Sequence, residues 1–393
     1  MKFLFVAPRF HTNQFPIVKS LIERGHNVEF FVQNVGKSED HSKLKPYLMK
    51  KSILSILLCK IVDWKYSANE AESKKLYYFI PANISLFIRI RKYRPDVVIL
   101  RERNFSSWCA YLICKILKIR CTIIYNQTPL YSPNTSENII KRFIKKIIRE
   151  FFPKVRITTV YARNISVLRN NQDKYHIKSH DYFVPFIAEL KEETANRTYC
   201  KGGNINILDV GKYRDYKNHF LLVDAISLIG DRRNLRVTIV GQVVNEDEQK
   251  YFDLLKTYIK SKNVDDVIRL EKNIDYNKMD QIYQTNDIFI LPSKLESASI
   301  SILEAMANGM VTISTDNNGT ASYINEGECG YLFRTMDAKD LAIKIEQIVS
   351  KKTNIYKMGN QAYLNIKYNY SFPNYYSALG EVLEKEFGVL IEE

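Results

Sequence analysis

The stretch Ile205-Asn-Ile-Leu-Asp209-Val-Gly211-Lys212-Tyr-Arg-Asp-Tyr-Lys217-Asn-His219 lies just past the middle of a 393-residue chain. It runs from a short apolar, β-branched segment through a glycine turn into polar and basic residues. In a parallel sheet buried on both faces, a strand reads as such a continuous apolar run and hands over to a helix through such a turn. Downstream the alternation continues, with strands expected at Arg236–Val240, Val267–Leu270, Ile288–Leu291 and Met310–Ser314 and helices between them. Upstream, Lys2–Ala7 reads as a buried first strand, followed by a helix from about Gln14 to Arg24 that Gly25 ends, and by Val28–Val32. Further strands are expected at Val97–Leu100, Thr122–Tyr125, Ile157–Val160 and Asp181–Val184. From Val35 to about Asn83 the pattern is partly helical without legible boundaries.

The same alternation in both halves predicts an α/β protein of two facing doubly wound domains, with a ligand cleft at the carboxyl ends of both sheets. The expected domains are 1–186 and 187–370, joined through a polar stretch, Pro185 to Asn204, that ends in Gly202-Gly203. A last helix, about Tyr375 to Phe387 within 371–393, follows Pro373 and is expected to pack back on the first domain.

Composition narrows the class. With 46% hydrophobic and 26% charged residues the chain is that of a globular protein. Its longest apolar stretch, Ile53 to Val62, is interrupted by Lys60 and falls short of the roughly 20 residues needed to cross a bilayer. Apolar Phe3–Pro8 is stopped by Arg9 and His11, too soon for a secretion signal. Cys59, Cys109, Cys114, Cys121, Cys200 and Cys329 show neither metal-ligand spacing nor a disulfide framework, as expected of reduced thiols in the cytoplasm. Charge is uneven: residues 1–186 carry 33 basic and 13 acidic side chains, a net +20, against a total of +15 for the whole chain. Such asymmetry expects an anionic neighbour for the first half, nucleic acid or a membrane leaflet.

Two constellations carry chemistry. In the stretch quoted above, Gly211 permits a tight turn at the sheet edge, and Lys212 and Lys217 stand where a diphosphate needs two compact cations. In the second, Leu291-Pro-Ser-Lys-Leu-Glu296-Ser-Ala-Ser-Ile-Ser-Ile-Leu-Glu304-Ala-Met-Ala-Asn-Gly309, a strand ends, a loop carries Glu296, and a helix is expected to begin near Ala298. Fully helical, the span between the two glutamates would rise roughly 12 Å, about the reach of a sugar nucleotide. The helix start between them offers free N–H groups to a phosphate. Read alone, each constellation is equally that of exposed charges on a capped helix.

Taken in order, Gly211-Lys212…Lys217, Val240-Gly241, Glu296…Glu304-Ala-Met-Ala-Asn-Gly309 and Gly327…Gly330-Tyr-Leu-Phe resemble the retaining glycosyltransferases of family 4. The resemblance covers nearly all of the second half and is looser in the first. It implies the GT-B fold of two Rossmann-like domains. It also implies a retaining, metal-independent transfer of a sugar from a nucleoside diphosphate sugar, UDP being the commonest donor nucleotide. The implied acceptor is a glycan, lipid-linked through a polyprenyl carrier, in bacterial surface polysaccharide assembly of capsule or lipopolysaccharide type.

By position, Glu296 resembles the residue that holds hydroxyls of the donated sugar and Glu304 the one that grips the ribose. Lys212 and Lys217 resemble the basic pair on the diphosphate. Gly211, Ser299, Ile300 and Ser301 complete the implied donor site. Ser299 replaces a frequent Gly, and Lys212 a frequent Arg, giving charge without a bidentate fork. On the acceptor side, Arg9-Phe-His11-Thr-Asn13-Gln14 stands in place of a Gly-rich loop, and Tyr125-Asn126-Gln127-Thr128 in place of a His-Asp pair. His11, Asn13, Glu102, Asn126 and Gln127 are therefore the acceptor-side candidates. No Asp-x-Asp is present to hold a diphosphate-bound metal, and no cofactor is expected. A nucleotide-sugar 2-epimerase of the same architecture is one alternative, and a basic nucleic-acid-binding protein is a weaker one because no recognition motif is present.

One further segment, residues 138–152, places apolar side chains at 139, 140, 143, 144, 147, 148 and 151 and basic ones at 141, 142, 145, 146 and 149. This reads as a helix with a cationic stripe, either packed on the sheet or laid on anionic lipid. With Lys43, Lys45, Lys50 and Lys51 near Leu48 and Met49, it predicts an anionic membrane partner, peripheral on the cytoplasmic face of the inner membrane.

Overall fold

A computed structural model describes residues 1–35, 41–65, 75, 79–101, 104–125, 152–160, 181–190, 194, 197–296, 298–350 and 352–391. Two parallel sheets, each flanked by helices, form the two α/β domains read from the sequence. The first contains β1 (Lys2–Ala7), β2 (Asn27–Val32), β3 (Tyr47–Leu48), β4 (Val97–Arg101), β5 (Cys121–Tyr125), β6 (Arg156–Thr158) and β7 (Asp181–Phe183). Its spatial order is β3-β2-β1-β4-β5-β6-β7. The second contains β8 (Ile205–Val210), β9 (Leu235–Gly241), β10 (Ile268–Lys272), β11 (Ile288–Leu291), β12 (Val311–Thr315) and β13 (Gly330–Phe333), in the order β10-β9-β8-β11-β12-β13. In each sheet the strand order reverses beside the first strand, and ligands of such folds bind at the carboxyl end of that reversal.

Helices of the first domain are α1 (Phe15–Glu23), α2 (Ile53–Lys65), α3 (Asn83–Tyr93) and α4 (Phe105–Ile116). Those of the second are α5 (His219–Leu228), α6 (Glu246–Ser261), α7 (Tyr276–Thr285), α8 (Ile300–Ala307), α9 (Ala338–Val349) and α10 (Lys352–Asn369). The last helix, α11 (Phe372–Phe387), opens with a Ser371–Asn374 capping box and closes on Gly388 at φ +65°. Such a cap satisfies amides that a helix start leaves bare. The helix lies against α1: His26 Nε2 and the Tyr376 hydroxyl are 2.8 Å apart, and the Arg24 guanidinium sits 4.4 Å from the Tyr376 ring centre.

Several expected boundaries shift. Ile157–Val160 becomes Arg156–Thr158, Met310 falls outside β12 because Gly309 turns just before it (φ +71°), and β3 and β13 lack a readable signature. The stretch from Pro185, expected to be polar, is apolar and packed at its start: Phe186, Ile187 and Ala188 are buried and join one hydrophobic cluster that includes Phe5 and Ile99 of the first domain and Phe289 and Leu303 of the second. Farther along, the Arg197 guanidinium donates to the carbonyls of Asn308, Gln284 and Asn286. At the junction Tyr323 is fully buried. Its hydroxyl donates to the Thr159 carbonyl and accepts from the Phe186 amide at 2.9 Å.

Candidate active site

The turn after β8 and the loop after β11 are laced together at the switch point. Asn218 Nδ2 donates to the Pro292 carbonyl (3.3 Å), the Lys294 amide to the Tyr216 carbonyl (2.8 Å), and Lys294 Nζ to Asp215 Oδ1 (2.6 Å). At Gly211 the Lys217 side chain passes close to the backbone. A Cβ at this position would lie 3.1–3.3 Å from the Lys217 side-chain stem, which therefore runs over the turn. Its ammonium meets Glu296 Oε2 at 2.5 Å, with only 14% and 16% of the two side chains exposed. The hydrogen bonds between the two loops thus bring together charges 79 residues apart.

Glu296 owes its position to the loop after β12, since its amide donates to the Asn317 carbonyl (3.2 Å) and its carbonyl accepts from Gly319 (3.0 Å). The same loop delays the helix. Ser299 is extended (φ −86°, ψ 114°) and exchanges hydrogen bonds with the Thr320 hydroxyl, so α8 starts at Ile300 rather than near Ala298. The span from Glu296 to Glu304 is therefore helical only in its second half, and the fully helical rise does not apply. The Ser299 hydroxyl contacts the Ser301 hydroxyl at 2.7 Å and does not cap the helix, which keeps the amides of the first turn for an anion. Glu304, half-buried on α8, accepts from the Tyr283 hydroxyl at 2.8 Å. Loss of water raises its pKa, and the tyrosine bond opposes that rise.

Lys212 stands at the turn with Arg9, Arg214 and Lys217 nearby. Burial first, and then repulsion by these cations, lowers its pKa, with Glu248 opposing. Arg214 is paired with Glu248 at 2.7 Å. Such a site gains from an added anion. Beneath the turn, Asp209 Oδ2 and His219 Nε2 face each other at 3.5 Å, both buried and neither with another hydrogen-bond partner. Burial pushes the Asp209 carboxyl up to about 7 and the His219 imidazole down to about 3, disfavouring the charged form of each under the loop.

All eight donor-side residues singled out in the sequence, Gly211, Lys212, Lys217, Glu296, Ser299, Ile300, Ser301 and Glu304, line one cavity of about 690 Å³ between the domains. That volume suits a small-molecule ligand. The first domain adds Thr12, Phe15 and Lys19 to its wall, and the interdomain segment adds Ile187–Glu189. Sequence reading missed Gln242, Asn273, Ile274 and Met279, which line the same cavity with Val240 and Gly241. Asn273 carries the one available signal, an asparagine after a strand that takes φ +55°, and its side chain is fixed by two bonds to the Val243 backbone at 2.8 and 3.0 Å.

On the acceptor side the candidates separate. His11 lies at the surface of the turn after β1, crowded enough that loss of water, with Arg9, Arg101 and Lys212, lowers its pKa to about 4. Asn13 Oδ1 is buried without a partner. Neither borders the cavity. Arg101, at the end of β4, was not singled out. With the Gln14 amide turned so that its oxygen faces the guanidinium, it donates to that oxygen at 2.7 and 2.8 Å, and it stacks 4.2 Å from the Tyr125 ring centre. Glu102, Asn126, Gln127 and all of 138–152 except Phe152 lie outside the described residues, and Phe152 is buried. Among the described residues no three His, Cys, Asp or Glu side chains group as metal ligands. The six cysteines are free thiols, five of them buried.

Residues 191–365 match the model of the family described as glycosyl transferases group 1. Mannosylfructose-phosphate synthase of Agrobacterium fabrum is 27% identical over 140 residues, 35% of this chain and 31% of that protein. The capsular polysaccharide biosynthesis glycosyltransferase CapH of Staphylococcus aureus is 22% identical over 277 residues, 68% of this chain and 73% of that one. The first three curated relatives are each matched over less than two fifths of their own length. In fold, a glycosyltransferase of Rickettsia africae gives a TM-score of 0.71 at 17% identity, covering 98% of both chains. HepE of Anabaena, solved in complex with UDP, gives 0.69 at 12% identity, covering 98% of this chain and 100% of that one. The second domain, over residues 191–365, thus matches the glycosyl transferases group 1 family, on a two-domain fold that the whole chain shares with a solved glycosyltransferase.

Proposed function

We propose that this protein is a retaining glycosyltransferase that moves a sugar from a nucleoside diphosphate sugar, UDP-linked, to a lipid-carried glycan in surface polysaccharide assembly. One observation carries the reading: the Lys217–Glu296 pair, Lys212, the uncapped start of α8 and Glu304 converge on one wall of the interdomain cavity. The base fits against Gln242, Asn273 and Ile274, and Glu304 accepts from the ribose hydroxyls. Lys212, Lys217 and the α8 amides take the diphosphate, and Glu296 takes the sugar hydroxyls.

In the step itself, the bond from the anomeric carbon to the β-phosphate oxygen breaks and its electron pair stays with the phosphate. The acceptor oxygen bonds to the same face of that carbon, and its proton passes to the departing phosphate. Negative charge grows on the diphosphate as the bond breaks, so cations and N–H dipoles already in place stabilise the transition state more than the ground state. These groups supply the positive charge without a metal. The UDP bound by HepE supports the uridine assignment, and the capsular relative CapH supports a polysaccharide acceptor.

A thermal-shift series with UDP, GDP, ADP and dTDP tests the donor. Ligand held only by the native state at a hundred times its Kd adds about 2.7 kcal/mol, so UDP raises the melting temperature most. If no nucleoside diphosphate moves it, the donor assignment is wrong. Incubation with UDP-sugar alone separates transfer from 2-epimerisation, because only an epimerase returns an altered sugar nucleotide.

A further inference from the structure

Helix α2 is apolar on the wrong side for a soluble domain. It buries Ser55, Cys59 and Val62 and leaves Ile53, Leu54, Ile56, Leu57, Ile61 and Trp64 exposed, Ile53 at 80% and Trp64 at 88%. Beside it α3 exposes Ile84, at 79%, and Ile88, one turn apart. The starts of the two helices are pinned together by the Lys51–Pro81 bridge, with Ser52 donating to the Ile80 carbonyl and Ala82 to that of Lys50. Leu48 of β3 is exposed in the strand that leads to α2. An apolar surface of this extent on one face marks a contact site.

The charge around it says what the contact is. Over residues 41–65 stand Lys43, Lys45, Lys50, Lys51, Lys60 and Lys65, of which Lys43 meets Glu23 of α1 at 3.6 Å, and the single acid of the stretch, Asp63, is paired with Lys75. Helix α3 and the residue after it add Arg89, Arg91, Lys92 and Arg94 with no acid. Arg89 is taken up by Glu29 at 2.7 Å, while Arg91, Lys92 and Arg94 are exposed. A protein partner would have to bury an apolar patch ringed by lysines, whereas an anionic lipid surface accepts both at once: acyl chains take the aliphatic side chains, and headgroup phosphates take the ammonium groups. With 13 residues, α2 is about 20 Å long, too short to span a bilayer and suited to lie in its interface. Trp64, near its end, is the side chain that membrane interfaces favour.

We infer that the exposed face of α2 and α3 is an interfacial anchor that seats the first domain on an anionic phospholipid surface. The surface identified here lies outside the 138–152 helix read from the sequence. It also bears on the acceptor, because Ser42 and Lys43, shortly before β3, line the interdomain cavity. A lipid-carried glycan would therefore be presented close to the cleft. The anchor does not depend on the donor assignment, since vesicle binding requires no nucleotide.

Flotation of the full chain with phosphatidylcholine vesicles, with and without phosphatidylglycerol, tests it. Binding is expected to rise with the anionic lipid and to weaken with salt. The variant L57E/I61E, altered only at exposed positions, is expected to lose vesicle affinity by roughly tenfold or more. Its melting temperature and its shift with UDP should stay as in the wild type. The variant K50Q/K51Q, with the apolar face intact, should lose only the preference for phosphatidylglycerol. Wild-type binding by L57E/I61E, or binding indifferent to anionic lipid, overturns the inference. So does loss of self-association in that variant by sedimentation without loss of vesicle binding, which would assign the face to a second copy of the chain.

Discussion

Lys217 and Glu296 neutralise each other across two loops, and on the proposed reading a donor competes for both. The phosphate draws the ammonium, and the sugar hydroxyls take the carboxylate. Removing either partner takes away a contact that strengthens as charge develops, and it also leaves the other charge poorly solvated. Lys217→Ala and Glu296→Ala should each lower kcat by about 10²–10³-fold, with melting temperatures within a few degrees of wild type. The double variant should cost little more than the worse single one, because the two act as a unit. Near-normal turnover in both single variants would remove them from the site. Both residues were legible in the sequence as members of motifs. Their pairing was not, because no spacing rule brings together residues 79 apart.

At the scale of elements, the β8 turn is held by a plug rather than by its own sequence. Tyr213 is fully buried, and its hydroxyl bridges the Ile239 and Glu271 carbonyls at 2.9 and 2.7 Å. This close fit requires Gly241 at the end of β9, where a Cβ would come within 2.5 Å of the Gly211 carbonyl and 2.6 Å of the Tyr213 ring. Gly241→Ala must therefore displace the turn that carries Lys212. Overpacking of this kind costs about 1–3 kcal/mol, to be read from urea denaturation, and should raise KM for the donor more than it lowers kcat. An unchanged KM would mean that the turn adapts without moving the lysine. The glycine itself was visible in the sequence beside Val240. Its purpose depends on a tyrosine 28 residues earlier that pattern reading leaves anonymous.

For the whole molecule, the cleft exists because the two domains are fastened on one side. Tyr323 of the second domain reaches the Thr159 carbonyl and the Phe186 amide, Asn365 Nδ2 donates to the Tyr323 carbonyl (2.8 Å), and α11 returns to α1. Tyr323→Phe leaves a carbonyl and an amide without their partner in a dry interface. It should cost about 1–3 kcal/mol in a denaturant midpoint. A midpoint equal to wild type would show that the interface opens to water in solution.

The sequence alone determined the two α/β domains, because strands buried on both faces must be written as continuous apolar runs and the turns between them as glycine and charge. It also singled out the eight residues that the structure gathers along one cavity, because glycine and charge at a strand end stand out against an apolar run. The tertiary structure decided what depends on distant neighbours: the start of α8 at Ile300, the Lys217–Glu296 contact, the burial of the interdomain segment Phe186–Ala188 and the outward face of α2. An apolar residue has the same letter whether it faces a core or a bilayer. Only the packing of the remaining chain leaves Ile53 and Trp64 uncovered.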